Sequence, residues 1–246
     1  MTDPGSTHAY AMHILPRPIH LALVAGLILS ACAARPSAED DLHRGEKPPT
    51  RTVQGHVLVS DSLPEVRIVL PEAAAFIGST RFDLYDVADT EIYLFAEARP
   101  DRTLDQLYWI QFEAYLPNVP NVAYEPGSRG EPLVDLGDMN LFYRARFGRS
   151  EDEMPEGSEA ERVVEMVRAA GYAMPLETMS AQFHQTVHPD NRSEIIVIHV
   201  EALASVGLTV DELLAGGRDG EAMQQLHERA LTRAQERIQI KSRPER

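Results

Sequence analysis

Short strand-like segments separated by turn residues set the strongest limit on the fold of this chain. In residues 90–98, the apolar side chains Ile92, Leu94 and Ala96 occupy every second position, and this period of two is typical of a β-strand. Short connections between successive strands favour antiparallel pairing, because parallel strands need a long crossover. Residues 117–138 contain four prolines and three glycines and are predicted to form a long irregular loop. Apolar runs and turn signals predict further strands over residues 52–60, 65–70, 81–87, 107–116, 140–147, 179–188 and 194–202.

Three helices are predicted in the second half of the chain. Ser158 with Glu161, and Thr209 with Glu212, have the spacing of a capping box, in which each side chain binds an unpaired backbone N–H. A last helix over about residues 220–239 carries apolar side chains on one face. The expected fold class is α+β: a mostly antiparallel sheet of six to eight strands with one inserted helix and C-terminal helices packed on it.

The N-terminal segment has the features of an export signal. Residues 21–29 form an uncharged apolar run, preceded by Arg17 and followed by the small residues Ser30 and Ala31. A charged start, an apolar stretch of about 7–15 residues and a small-residue cleavage site define such a signal. A membrane span needs about 20 apolar residues, so this run is predicted not to be a permanent span.

The sequence Leu29-Ser30-Ala31-Cys32 fits the lipobox pattern Leu-(Ala/Ser)-(Gly/Ala)-Cys, and in this segment the chain resembles bacterial lipoproteins. The resemblance implies cleavage before Cys32, a lipid on the Cys32 thiol and an acyl group such as palmitate on the new N-terminus. Two or more acyl chains anchor a protein stably, so the lipid bilayer is an expected partner. Ala33 follows the cysteine where inner-membrane lipoproteins commonly carry aspartate, which implies the outer membrane, facing the periplasm.

The chain is therefore predicted to have three parts. Residues 1–31 are the lipoprotein signal peptide, with Met12 as the expected start of translation. Residues 32–52 are the lipidated cysteine and a flexible tether, because they are rich in charge and proline without apolar periodicity. Residues 53–246 have the length of a single α+β domain.

Charge and cysteine content exclude several classes of protein. The chain has 38 acidic and 23 basic residues, a net charge of −15, whereas nucleic-acid binding requires clustered cations. Cys32 is the only cysteine, which excludes an intrachain disulfide framework and a multi-cysteine metal site. Nucleotide-binding glycine motifs are missing, and we predict neither a cofactor nor a bound metal.

An aromatic-rich strand carries the best candidate for ligand contacts. Within residues 107–116, Trp109 and Glu113 fall on one face, and Tyr93 lies on the neighbouring predicted strand. Aromatic rings supply apolar area and attract cations, while an isolated carboxylate selects a cationic or hydroxyl-bearing group. We predict ligand binding by Trp109, Glu113 and Tyr93; ordinary sheet packing is the alternative.

Three histidines, His184, His188 and His199, lie on the predicted hairpin of residues 179–202. His184 and His188 are four residues apart, which is about 13 Å along a strand at ~3.3 Å per residue. One metal ion cannot bind both at that separation, so the pattern does not predict a metal site.

These observations leave more than one function open. The first is a membrane-anchored envelope lipoprotein that acts as a non-enzymatic binding module for a small molecule or an envelope protein. A structural role in a larger envelope complex is a variant of it. The alternative is a periplasmic hydrolase that uses Glu113 or the hairpin histidines. A pocket in which Glu113, Trp109 and a histidine converge favours the hydrolase, and dispersed histidines favour the binding module.

Overall fold

The computed structural model describes residues 46–150, 152, 154–217 and 220–242. The predicted signal peptide and Cys32 lie outside these residues. Within the described part of the chain, no α-helix combines the length and the apolar character needed to cross a bilayer. The elements are β1 (Thr52–Gln54), β2 (Val57–Ser60), β3 (Val66–Val69), β4 (Ala75–Leu84), β5 (Ala88–Ala98), β6 (Leu104–Tyr115), β7 (Leu133–Leu136), β8 (Met139–Arg149), α1 (Glu159–Ala169), β9 (Glu177–Thr186), β10 (Ser193–Ala202), a 3₁₀ turn (Leu203–Val206), α2 (Val210–Gly216), α3 (Glu221–Arg237) and β11 (Gln239–Ser242).

The strands form two sheets. The larger has the order β4-β5-β6-β10-β9-β8-β7, and the smaller has the order β1-β2-β3-β11. Neighbouring strands within both sheets pair in antiparallel fashion. The predicted α+β class, with its mostly antiparallel sheet, is therefore confirmed.

The larger sheet buries residues on both of its faces. Its first face, which carries Tyr93 and Tyr108, packs with the smaller sheet, α2 and α3 in the main core. Its second face, which carries Leu94, packs against Val163 and Val167 of α1. Because side chains alternate along a strand, the central strands β5 and β6 contribute to both clusters.

The predicted last helix is longer than the helix in the structure. α3 ends at Arg237, and residues 239–242 continue as β11, which pairs with β3. Ile238 and Ile240 are both fully buried, and this spacing of two suits a strand. Because residues 239–242 pair with β3 at the edge of the smaller sheet, the helix ends earlier than its pattern of apolar residues predicts.

Strand boundaries also differ from the prediction in the larger sheet. β4 begins at Ala75 and passes Gly78 by a bulge, whereas the predicted strand begins at residue 81. The predicted irregular loop of residues 117–138 ends in a short strand, β7, at the edge of the sheet.

Both predicted helix caps are present. Ser158 Oγ accepts a hydrogen bond from Glu161 N at 3.2 Å, but the Glu161 carboxylate binds the backbone N–H of Gly157 rather than that of Ser158. Thr209 and Glu212 form the complete capping box. Local chemistry thus sets the start of α1 and α2.

The last residues of the predicted tether pack against the larger sheet. Lys47 Nζ lies 2.6 Å from Asp83 Oδ1, and Thr50 Oγ1 donates to Glu91 Oε2 at 2.8 Å. Arg51 forms an ion pair with Glu91, and their side chains are only 9% and 4% exposed. The folded domain therefore includes residues 46–51, which precede the start at residue 53 that the sequence predicts.

Candidate functional site

A pair of buried carboxylates lies on the second face of the larger sheet. Glu113 on β6 and Glu194 on β10 are directly opposite each other in the antiparallel register, and each residue is 8% exposed. Directly opposite residues have Cβ atoms about 4.5–5.5 Å apart. Two acidic groups therefore share one small space, which is unfavourable when both are ionised.

Glu113 is held by a chain of polar side chains. Trp109 Nε1 donates to Gln111 Oε1 at 2.7 Å, and Gln111 Nε2 donates in turn to Glu113 Oε1. The Tyr124 hydroxyl donates to Glu113 Oε2 at 3.2 Å, and Thr90 Oγ1 lies 3.4 Å from Glu113 Oε1. The position of the Glu113 carboxylate is therefore fixed by side chains of two strands, β5 and β6, and by one loop residue.

Glu194 differs from Glu113 in its surroundings. Among the described residues, no side chain or backbone N–H donates a hydrogen bond to its carboxylate. The charges that act on it are those of Glu113, Arg144 and Glu159. A buried carboxylate without a protein donor is costly to ionise. Since His184 Nε2 is the one fully enclosed side-chain atom without a partner among the described residues, the Glu194 oxygen atoms keep some contact with solvent and are open to a ligand.

Both carboxyl groups retain protons more strongly than an exposed glutamate does. Burial, assisted by the charge of Glu159 at the start of α1, raises the pKa of Glu113 to about 7. Burial, followed by the charge of Glu113, raises the pKa of Glu194 to about 8, while Arg144 acts in the opposite direction. The two groups titrate as a pair, and at neutral pH the pair holds at least one proton.

We expect the double variant Glu113→Gln/Glu194→Gln to gain stability relative to the wild type as the pH rises. The wild-type folded state keeps protons that the unfolded chain has released, since the folded pKa values lie above the ordinary value of 4.5. Its stability is therefore lost as the pH rises from about 4.5 through 8. Urea unfolding at pH 5 and pH 9 measures the effect, and the difference between the proteins should grow by about 2 kcal/mol or more.

The exposed Glu72 provides the matched control for this titration. Glu72→Gln should leave the pH dependence of the unfolding free energy unchanged, because an exposed carboxylate is solvated in both states. Parallel curves for the double variant and the wild type would show that the pair does not titrate as described.

The loop after β6 holds two aromatic rings beside the pair of carboxylates. Tyr124 stacks on Tyr115 with ring centroids 4.3 Å apart and planes inclined by 21°. Arg192, in the β9–β10 turn, donates to the carbonyl oxygens of Leu116 and Val119, each at 3.0 Å. The loop after β6 is thereby tied to the turn before β10, which keeps the two rings next to the carboxylates.

The structure brings together two of the three predicted ligand-binding residues. Trp109 and Glu113 share the second face and are connected through Gln111. Tyr93 lies on the first face, where its hydroxyl donates to Glu91 and accepts from the Arg51 backbone N–H at 2.8 Å. The predicted trio therefore does not line one site.

The hairpin histidines are dispersed. His199 is buried on the first face beside Gln106, and burial lowers its pKa to about 4. His188 lies in the turn, with Nδ1 2.8 Å from Asp190 Oδ1. His184 is half-buried on the second face, two strands from Glu113, and shares no hydrogen bond with it. No histidine in the described part of the chain converges with Glu113.

A cavity of about 180 Å³ opens at this end of the sheet, and its lining includes both Glu113 and Glu194. The other charged groups of the lining bind one another: Arg51 pairs with Glu91, and Arg81 Nη2 lies 2.6 Å from Asp89 Oδ2. Glu113 and Glu194 are therefore the carboxyl groups of the cavity that have no ion-pair partner among the described residues.

Glu194 and Tyr124 are the site residues that the sequence analysis missed. Within the described residues, no cluster of three or more His, Cys, Asp or Glu side chains is arranged to hold a metal ion. Comparison of the chain with protein-family models, with curated proteins and with solved structures found no match.

Proposed function

We propose that this chain is a membrane-anchored envelope lipoprotein whose domain binds a small ligand with a positively charged amino group. The anchor is the acylated Cys32, and the domain faces the periplasm from the outer membrane. The observation that carries the ligand class is the pair formed by Glu113 and Glu194, two buried carboxylates that lie directly opposite each other.

A cation suits this pair for three physical reasons. A positive charge between two carboxylates replaces the proton that they otherwise share and removes their mutual repulsion. An ammonium group also supplies the hydrogen-bond donor that Glu194 does not have among the described residues. The stacked rings of Tyr115 and Tyr124 lie beside the pair, and aromatic faces attract cations.

Binding is favoured over hydrolysis because of where the histidines lie. A hydrolase of the kind considered from the sequence needs Glu113 close to a histidine that exchanges a proton with the substrate. His199 is on the opposite face, His188 is in a turn, and His184 makes no contact with Glu113. The second group next to Glu113 is another carboxyl, which fits recognition of a cation.

The test is titration calorimetry of the full-length protein, purified in a neutral detergent, with ethylamine, ethanolamine and putrescine, each of which carries N–H donors. We expect at least one of these amines to bind, and to bind more tightly as the pH rises from 6 to 9, because binding displaces a proton from the pair. Glu194→Gln should weaken that binding about tenfold or more, as expected for the loss of a charged hydrogen-bond partner.

Glu72→Gln, at an exposed carboxylate, is the matched control and should bind the amine as the wild type does. Absence of binding for all three amines, or equal binding by Glu194→Gln and the wild type, would contradict the proposed ligand class. An affinity that does not change with pH would contradict the displacement of a proton.

A further inference from the structure

Two arginines lie side by side on the second face of the larger sheet, and the charge of one of them, Arg144, also acts on Glu194. Arg144 and Arg146 occupy alternate positions on β8. Their Nε atoms both donate to Oε1 of Gln182, at 2.9 and 3.2 Å. One amide oxygen on β9 thus holds both guanidinium groups, whose terminal nitrogens form no hydrogen bond with the described residues.

The charge of this arginine pair is largely uncompensated. The nearest carboxylate to Arg144 is Glu131, with 3.9 Å between Nη1 and Oε1, which is beyond hydrogen-bond distance. Arg146 forms no ion pair within the described part of the chain. Burial, followed by the charges of Arg146 and Arg129, lowers the pKa of Arg144 to about 10, so positive charges accumulate here in a chain whose net charge is −15.

An imidazole nitrogen without a partner lies beside the arginines. His184 is next to Gln182 on the same face of β9, and its buried Nε2 atom has no hydrogen-bond partner in the described part of the chain. Burial, followed by the charge of Arg144, lowers the pKa of His184; Arg129 acts in the same direction and Glu131 in the opposite one. A neutral imidazole with its proton on Nε2 is a hydrogen-bond donor that lacks an acceptor.

From this geometry we infer a second binding site, in which Arg144, Arg146 and His184 bind a phosphate group. The free guanidinium nitrogens match the oxygens of such a group in fork geometry. Arg129 balances the charge of Glu131, which leaves the two positive charges of Arg144 and Arg146 to match the two negative charges of a phosphate group. Glu194 also acts on Arg144, but its pKa is raised to about 8, so at neutral pH it is mostly the uncharged acid. The inference does not depend on the amine site, which lies on other residues of the same face.

A phosphate monoester can reach this site as a dissolved ion or as a lipid headgroup, and the test separates the two. The full-length protein in neutral detergent and phosphate-free buffer is titrated with inorganic phosphate and, separately, with short-chain phosphatidic acid. We expect saturable binding of at least one probe. Tighter binding of inorganic phosphate assigns the dissolved source, and tighter binding of phosphatidic acid assigns the headgroup.

Variants and an NMR measurement test whether the phosphate probe binds at Arg146 and His184. Arg146→Gln should weaken it about tenfold or more, whereas Arg67→Gln, at an exposed arginine on β3, should leave it unchanged. A saturating phosphate probe should also raise the pKa of His184 by about one unit, because a nearby negative charge favours the imidazolium form.

Either of two results would overturn this site. One is the absence of saturable binding for both probes. The other is binding that is the same in Arg146→Gln and the wild type and that leaves the titration of His184 unchanged. The amine titration of the wild-type protein is a separate measurement, so failure at one site does not imply failure at the other.

Discussion

We expect Cys32→Ser to abolish lipid attachment and to leave an uncleaved or soluble precursor. A serine hydroxyl cannot form the thioether that joins the lipid to the chain, and without it the precursor lacks its cleavage signal. A single acyl chain binds a bilayer only marginally, and stable anchoring needs at least two. The measurement is incorporation of a labelled fatty acid by growing bacteria, followed by separation of membrane and soluble fractions.

Ser30→Ala is the matched control for this experiment. It changes a neighbouring residue but keeps the pattern Leu-(Ala/Ser)-(Gly/Ala)-Cys, so labelling should equal that of the wild type. Normal fatty-acid incorporation into Cys32→Ser would rule out the lipoprotein assignment. Loss of labelling in both variants would show that the segment does not follow the lipobox pattern.

The second large effect is expected from Arg51→Met, which should lower the free energy of unfolding by about 3–5 kcal/mol. Arg51 is the only cation paired with Glu91 among the described residues, and its Nε also donates to Ser60 Oγ at 3.1 Å. Removing the guanidinium leaves a carboxylate whose side chain is 4% exposed without its counter-ion. Urea unfolding at pH 7 measures the loss.

Two further variants separate this effect from simple truncation of a side chain. Arg99→Met removes an exposed partner of Asp105, since those side chains are 50% and 44% exposed, and should cost less than about 1 kcal/mol. Adding Glu91→Gln to Arg51→Met should recover part of the stability, because the orphaned charge is gone. Equal losses for Arg51→Met and Arg99→Met would contradict the role assigned to the buried pair.

The central strands and the helix starts of this fold were predictable because their signals are local. β5 carries Ile92, Leu94 and Ala96 at alternate positions, and Thr209 binds Glu212 within one helical turn. The edge strands β7 and β11 were not predictable from the sequence, since each is four residues long and mostly exposed. Their conformation depends on the neighbouring strand, which no short stretch of sequence reveals.

In the candidate site, too, only the features that lie within one strand were predictable from the sequence. Trp109 and Glu113 share a face because side chains alternate along one strand. The position of Glu194 opposite Glu113 depends on the register between β6 and β10, which is set by the packing of two segments distant in the chain. Tyr124 comes from an irregular loop. Arg144 and Arg146 do carry a local signal, since they alternate with apolar residues on β8, but their shared contact with Gln182 requires the fold.

The docking of residues 46–51 on the larger sheet has a mechanical consequence for the anchor proposed at Cys32. The length of chain from Cys32 to Glu46 covers at most about 50 Å, which limits the distance between the domain and the bilayer. A pull from the membrane acts first on the contacts of Glu46 with Arg162, of Lys47 with Asp83 and of Arg51 with Glu91. β1, at the edge of the smaller sheet, bears force only after those ion pairs break. The ion pairs thus take up the pulling force before it reaches the hydrogen bonds of the smaller sheet.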